Sequence, residues 1–336
     1  MKYFAILLLL LAGQAASACE LCAIYGATDA RGESDNGFRF TIAEQYIPYD
    51  TSQFNGQKVQ LATPSYVDSS MTHLVPSYNF SRSFGVSLSI PVTAMSFRRT
   101  DVQYSASAPP VLFTEKGSIF GLGDAALIGR ATVFRREAMK YGVLVNVLAG
   151  AKFPTGNDSR LDDEVEQAAI FESFLPPGTP HDPLAHSISS VHQHDLALGS
   201  GSFDGVFGVT LNSRWQRWFL NGQWQYYLRT PGEAGFRYGN EMMISGGPGA
   251  YVLLRDSFTI SAQINGGYDH TMRDELLGKT SDFTGMTAWY LGPQLGFTFG
   301  SRFSAVLGVD LPIHIANNGF QSVPDYRLHA SFSCRF

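Results

Sequence analysis

Half of the chain's eight histidines, His181, His186, His192 and His194, stand close together beside Asp182 and Asp195. Imidazole and carboxylate in one segment suit zinc, nickel or copper, because a neutral ring nitrogen is a good borderline ligand. The same composition also describes a solvated, polar loop tip, and a fixed zinc site needs ligands held on ordered elements. Both readings stand at this level.

A second chemical feature is Cys19-Glu20-Leu21-Cys22, which has the spacing of a thiol pair. Covalent haem would need His where Ala23 stands, and no cofactor follows from the sequence. Three readings remain: a local disulfide in an inert leader, a metal or redox contact with a periplasmic partner, and lipidation of Cys19, although Ala16 stands where lipoprotein signals carry Leu. Cys334, far along the chain from the pair, is read as a small hydrophobe.

The third feature is a set of charges spaced along amphipathic segments: Asp124, Arg130, Lys152, Asp204, Arg229, Glu241, Asp310, Arg327 and Arg335. All take the polar phase of their segments. Inside a pore such charges either tune selectivity or pair with one another to fill the interior.

The elements that must position these residues begin with an address. Met1 and Lys2, an apolar run from Tyr3 to Ala12 and the small residues Ala16-Ser17-Ala18 make a secretory signal peptide. The run is too short for a membrane-spanning helix. The expected organisation is a signal peptide at 1–18, a periplasmic leader with the thiol pair at 19–36, and one β-barrel over 37–336. A net charge of -5 and a pI near 5.9 give no basic footprint, so nucleic acid is set aside as a partner.

Period two dominates the rest, as expected for strands whose successive side chains point to opposite faces. Leu328, Ala330, Phe332, Cys334 and Phe336 share one face, whereas Arg327, His329, Ser331, Ser333 and Arg335 share the other. The split recurs at Phe258, Ile260, Ala262 and Ile264 against Thr259, Ser261, Gln263 and Asn265. Strands are predicted near 37–47, 65–80, 84–97, 119–135, 140–154, 201–213, 217–229, 239–253, 257–270, 285–299, 302–315 and 324–336. Tight links at 81–83, 135–140, 213–216, 254–256 and 300–301 alternate with long ones at 48–64, 98–118, 155–200, 230–238, 271–284 and 316–323.

Short turns on one side, long loops on the other and an even strand count predict an all-β fold, an antiparallel up-and-down transmembrane barrel of twelve strands in outer-membrane lipid. Closure follows because lipid offers backbone groups no partner, so every strand edge must be paired. Trp215, Trp218, Tyr226, Trp289 and Tyr290 stand near strand ends, where an interfacial girdle would lie. The loop near 155–200 is expected outside the cell, its first half a short acidic helix before Pro176-Pro177, and it could also fold inward and constrict the lumen.

The final Phe336 with alternating apolar residues before it resembles the terminal strand of bacterial outer-membrane proteins, which implies the barrel-assembly machinery as a partner. Gly121-Leu122-Gly123-Asp124 and Gly150-Ala151-Lys152-Phe153-Pro154-Thr155-Gly156-Asn157 resemble the outer-membrane family associated with the meta-pathway of phenol degradation. Leu198-Gly199-Ser200-Gly201-Ser202 is similar to the return from the long third loop in that family. The resemblance implies passage of small, hydrophobic or aromatic molecules. Two other readings compete: a barrel scaffold using the thiol pair and histidine loop to bind partners, and an outer-membrane lipid hydrolase. The hydrolase needs Ser and His within hydrogen-bond reach on the exterior, whereas His73, His314 and His329 take the inward phase.

Overall fold

The computed structural model describes residues 36–336, apart from 62, 233 and 256. The signal peptide and the Cys19–Cys22 pair lie outside the described residues. The main sheet contains β1 (Gly37–Tyr49), β2 (Tyr66–Asn79), β3 (Phe84–Ser105), β4 (Ala108–Leu122), β5 (Ala126–Glu137), β6 (Tyr141–Lys152), β7 (Asp204–Trp215), β8 (Trp218–Leu228), β9 (Glu241–Arg255), β10 (Phe258–Thr271), β11 (Met286–Phe299), β12 (Phe303–Asn317) and β13 (Arg327–Arg335). Neighbours in the chain pair antiparallel, except that β5 pairs with β3 and not with β4, and β13 returns to β1 with Arg39 opposite Arg335 and Tyr46 opposite Leu328.

β4 and β5 both lie along β3, Gly121 opposite Thr93 and Ala126 opposite Ser89, so they form one wall strand interrupted at Gly123-Asp124-Ala125. Counted that way, twelve strands close the ring, as the alternation predicts. Every backbone edge in lipid then finds a partner.

The wall is turned inside out relative to a soluble domain. Ile42, Phe207, Leu220, Ile264, Leu328 and Phe332 are exposed, whereas Thr41, Asn146, Thr210, Gln223, Gln225 and Gln263 are buried. Some of the inward polar groups pair with one another: Asn146 donates to Thr210 at 3.0 Å, and Asn221 donates to Gln263 at 3.0 Å. An apolar arc also runs along the inward face, made by Ala43, Val75, Ile128, Leu148, Val206, Tyr227 and Met243.

Three expectations are corrected. The 98–118 link is not a loop: β3 continues to Ser105 and β4 begins at Ala108, a hairpin beyond the ring. Alternation is hidden there because the stretch carries charged side chains that pair with one another and with the loop: Arg99 pairs with Asp101 at 3.4 Å and Glu115 at 3.2 Å, and Asp101 accepts from the Ser187 hydroxyl at 2.8 Å and the Ile188 amide at 2.9 Å. The loop is not a solvated tip. Helix α1 (Ser159–Ser173) and the segment after it are packed into the barrel mouth, burying Leu161, Leu184, Val191 and Leu196. His314, finally, is exposed beside the outward Trp289, because a register shift between Trp289 and Tyr290 moves it off the inward phase.

Candidate site at the loop neck and the cavity beneath it

The glycine motifs singled out in the sequence meet at the two ends of the loop. Asn157 carbonyl oxygen accepts from the amides of Leu198 and Gly199 at 3.0 and 2.9 Å, which draws the outgoing and returning arms together. Gly156 and Gly199 touch backbone to backbone. A Cβ on Gly199 would stand 2.6 Å from the Gly156 carbonyl, so neither position has room for a side chain.

Asp124, at the break between β4 and β5, closes this neck. One carboxylate oxygen accepts from the Gly156 amide at 2.9 Å, and the other accepts from the Ser200 amide at 2.9 Å and hydroxyl at 2.7 Å. Lys152, the last residue of β6, bridges Asp124 at 2.5 Å and Asp204 at 2.9 Å. Arg229 continues the chain of charges from Asp204 at 3.1 Å to Glu241 at 2.9 Å. Five of the predicted lumen charges thus form one paired network from β4 to β9.

The opposite wall carries a second network. Arg327 pairs with Asp269 at 2.5 Å and Asp310 at 3.7 Å, and it lies 3.6 Å over the Tyr290 ring. Asp310 also accepts from Asn265 at 3.1 Å. Arg130 stands apart from both and donates to Asn79 at 2.8 Å. Arg335 is half-buried at the terminal end of β13.

The histidines separate into two groups. His181 accompanies Glu172 at 3.9 Å and the Thr179 carbonyl at 3.0 Å. His186, His192 and His194 are buried around Glu164 of α1. Glu164 accepts from His186 Nε2 at 2.8 Å, from the His194 amide at 3.0 Å and from His194 Nδ1 at 3.2 Å. Sequence reading placed Glu164 in an acidic helix without a role, and it did not find Asp274, whose carboxylate lies 3.8 Å from His194 Nε2.

Burial alone would push the His194 imidazole down. The carboxylates of Asp195, Glu164 and Asp274 overturn this and hold it at about 9. Burial likewise works against the Glu164 carboxylate, but hydrogen bonds from His186 and His194 bring it well below the usual range. His192 is pushed down, first by burial and then by the charge on His194.

Between the neck, the histidine cluster and the wall lies a cavity of about 340 Å³. Its lining combines Val67, Met71, Met95, Tyr227 and Met286 with His73, Ser89, Lys152, Arg229 and Glu241. His73 Nδ1 lies 3.0 Å from Ser89 Oγ, and His73 Nε2 has no hydrogen-bond partner.

No protein-family model and no curated protein matches the chain. Among solved structures, it is similar to an outer-membrane channel from Pseudomonas putida F1, with a TM-score of 0.55, 11% identity, and coverage of 90% of this chain and 96% of that one. Weaker likenesses run to the β domain of the Bordetella autotransporter BrkA (TM-score 0.41, 9% identity, 90% and 100% covered) and to a Pseudomonas aeruginosa FadL homologue (TM-score 0.37, 9% identity, 90% and 90% covered). With its closed ring, outward apolar belt and this likeness, the chain has the fold of a bacterial outer-membrane β-barrel.

Proposed function

We propose that the protein is a passive outer-membrane channel for small solutes, apolar or aromatic ones among them, with residues 157–198 as a constriction folded into its mouth. The cavity carries this reading. It lies inside a ring of twelve strands, wider than the eight that side chains can fill, and its thioether and aromatic lining gives an apolar solute a surface beside polar groups. The similar Pseudomonas putida protein is described as an outer-membrane channel.

Lipid hydrolysis is less well supported. The Ser89–His73 pair faces the interior cavity, and the second ring nitrogen of His73 lacks the orienting partner that an activated nucleophile needs. The outward His314 hydrogen-bonds no serine among the described residues. The scaffold reading rests on Cys19 and Cys22, outside the described residues, and on a histidine loop in which His186, His192 and His194 are buried rather than presented to a partner.

Proteoliposome swelling tests the channel directly. Folded protein is expected to admit small sugars and small aromatic alcohols faster than protein-free vesicles. A folded barrel that passes neither would remove the proposal.

A further inference from the structure

We propose that Glu164, His192 and His194 form a binding site for one borderline divalent cation, zinc or copper(II), that ties helix α1 to the returning arm of the loop.

The first observation is a nitrogen without a partner. His192 is buried, and its Nδ1 makes no hydrogen bond. Buried polar atoms are ordinarily satisfied, so an exception calls for an explanation such as an ion. An ion-paired lock between the loop arms accounts for Glu164, His186 and His194, but it gives His192 nothing to do.

The second observation is geometric. One ligand atom from each of Glu164, His192 and His194 lies within 4.8 Å of the others. Metal–ligand bonds of about 2.0–2.2 Å place the ligand atoms of a tetrahedral site roughly 3.4 Å apart, a contraction that small side-chain rotations supply. Two imidazoles and a carboxylate suit zinc or copper and do not suit the oxygen-seeking calcium or magnesium.

The third is support around the ligands, of the kind that orients metal-binding side chains. The His192 amide donates to Asp195 at 2.7 Å, which fixes the turn presenting the ring. His194 stacks on Phe236 at 5.0 Å, and Tyr238 donates to the His194 carbonyl at 2.8 Å. His192 and His194 also line the cavity, so a fourth position can be filled by water. The site stands whether or not solutes pass through the barrel.

Calorimetric titration of zinc into metal-stripped, folded full-length protein tests it, with Cys19→Ser and Cys22→Ser so that thiols do not compete. One zinc per chain at micromolar or tighter affinity is expected. His192→Phe should weaken binding at least about 100-fold, as loss of a ligand requires, whereas His181→Ala, remote in its contacts from the cluster, should leave it within about threefold. Absence of saturable binding below millimolar zinc, or binding indifferent to His192→Phe, overturns the proposal. Should His192→Phe fail to fold, electron paramagnetic resonance of the copper(II) form decides: two coordinating nitrogens support the site, and fewer overturn it.

Discussion

Two buried clusters of charge hold the loop, and they differ in the kind of atom each leaves unmatched. At the neck, Asp124, Lys152, Asp204, Arg229 and Glu241 form a continuous series of ion pairs supplemented by backbone amides, and the unmatched Arg229 Nε is a donor with no lone pair for a cation. Deeper in the loop, the cluster around Glu164 satisfies His186 and His194 and leaves His192 Nδ1 unmatched. Desolvation makes an unmatched buried group costly, while a matched one costs little net. The neck therefore reads as architecture. The histidine cluster reads as a place with capacity left for something else.

The largest expected effect breaks the paired side of this contrast. Lys152→Met leaves Asp124 without a cation and Asp204 with Arg229 alone, and removing one partner of a buried pair costs about 3–5 kcal/mol. The heat-modifiable electrophoretic shift should move to lower temperature, with larger single-channel conductance as the neck loosens. An unchanged melting point would show that the network is not holding the loop.

Gly199→Ala comes next. Its Cβ would meet the Gly156 backbone, which cannot yield as a flexible side chain can, so about 1–3 kcal/mol is expected from overpacking. Protease cleavage within residues 174–190 should accelerate without loss of the barrel.

Proton linkage separates the clusters further. In metal-free protein, His194 is held at about 9 against an ordinary 6.5, so its contribution to seating the loop is complete below 6.5 and is lost as pH rises through 9. Glu164, held low, contributes above its ordinary value of 4.5 and loses that contribution on acidification. His192, held low, favours seating while neutral and opposes it as pH falls below 6.5. The groups facing His194 are Glu164 on α1, His192 and Asp195 beside it, and Asp274 and Tyr238 from the following loops. The protection factors of amides within α1, which correct for hydroxide-catalysed intrinsic exchange, should therefore fall between pH 7 and pH 9.5. Protection that is constant or rises over this range contradicts the assignment of charge to His194.

The smallest effect is the most discriminating. His192→Phe removes an unpaired nitrogen and a ring beside the charged His194, so metal-free stability should stay within about 1 kcal/mol of the parent or rise. A loss like that at Lys152 would mean that His192 has a structural partner, and the contrast between the clusters would fail.

Much of the wall was legible from period two because lipid outside and polar side chains inside impose opposite demands on alternate residues. The last strand is the clearest case, with Leu328 and Phe332 exposed and Arg327 and Ser333 buried. Alternation failed where that contrast of solvents disappears. At Arg99, Asp101 and Glu115, beyond the ring, charged side chains pair with one another and with the loop, and at His314 a register shift changes the phase. The acidic helix was readable from composition, but Glu164 was not singled out within it, because its role depends on His186 and His194 arriving from later in the chain. Asp274 was hidden for the same reason. The neck glycines stood out as motifs, and only three-dimensional contact shows that Gly156 and Gly199 stand out because they touch each other.

The central claim is that residues 157–198 restrict a continuous pore. Asn157 and Leu198 are already joined by a hydrogen bond, so residues 159–196 can be replaced by a short Gly-Ser bridge without stretching the barrel. Planar-bilayer recording of the two proteins is the most direct test: a small conductance is predicted for the parent and a several-fold larger one for the bridged variant. Equal conductances from two folded barrels, or silence from both, would contradict the account.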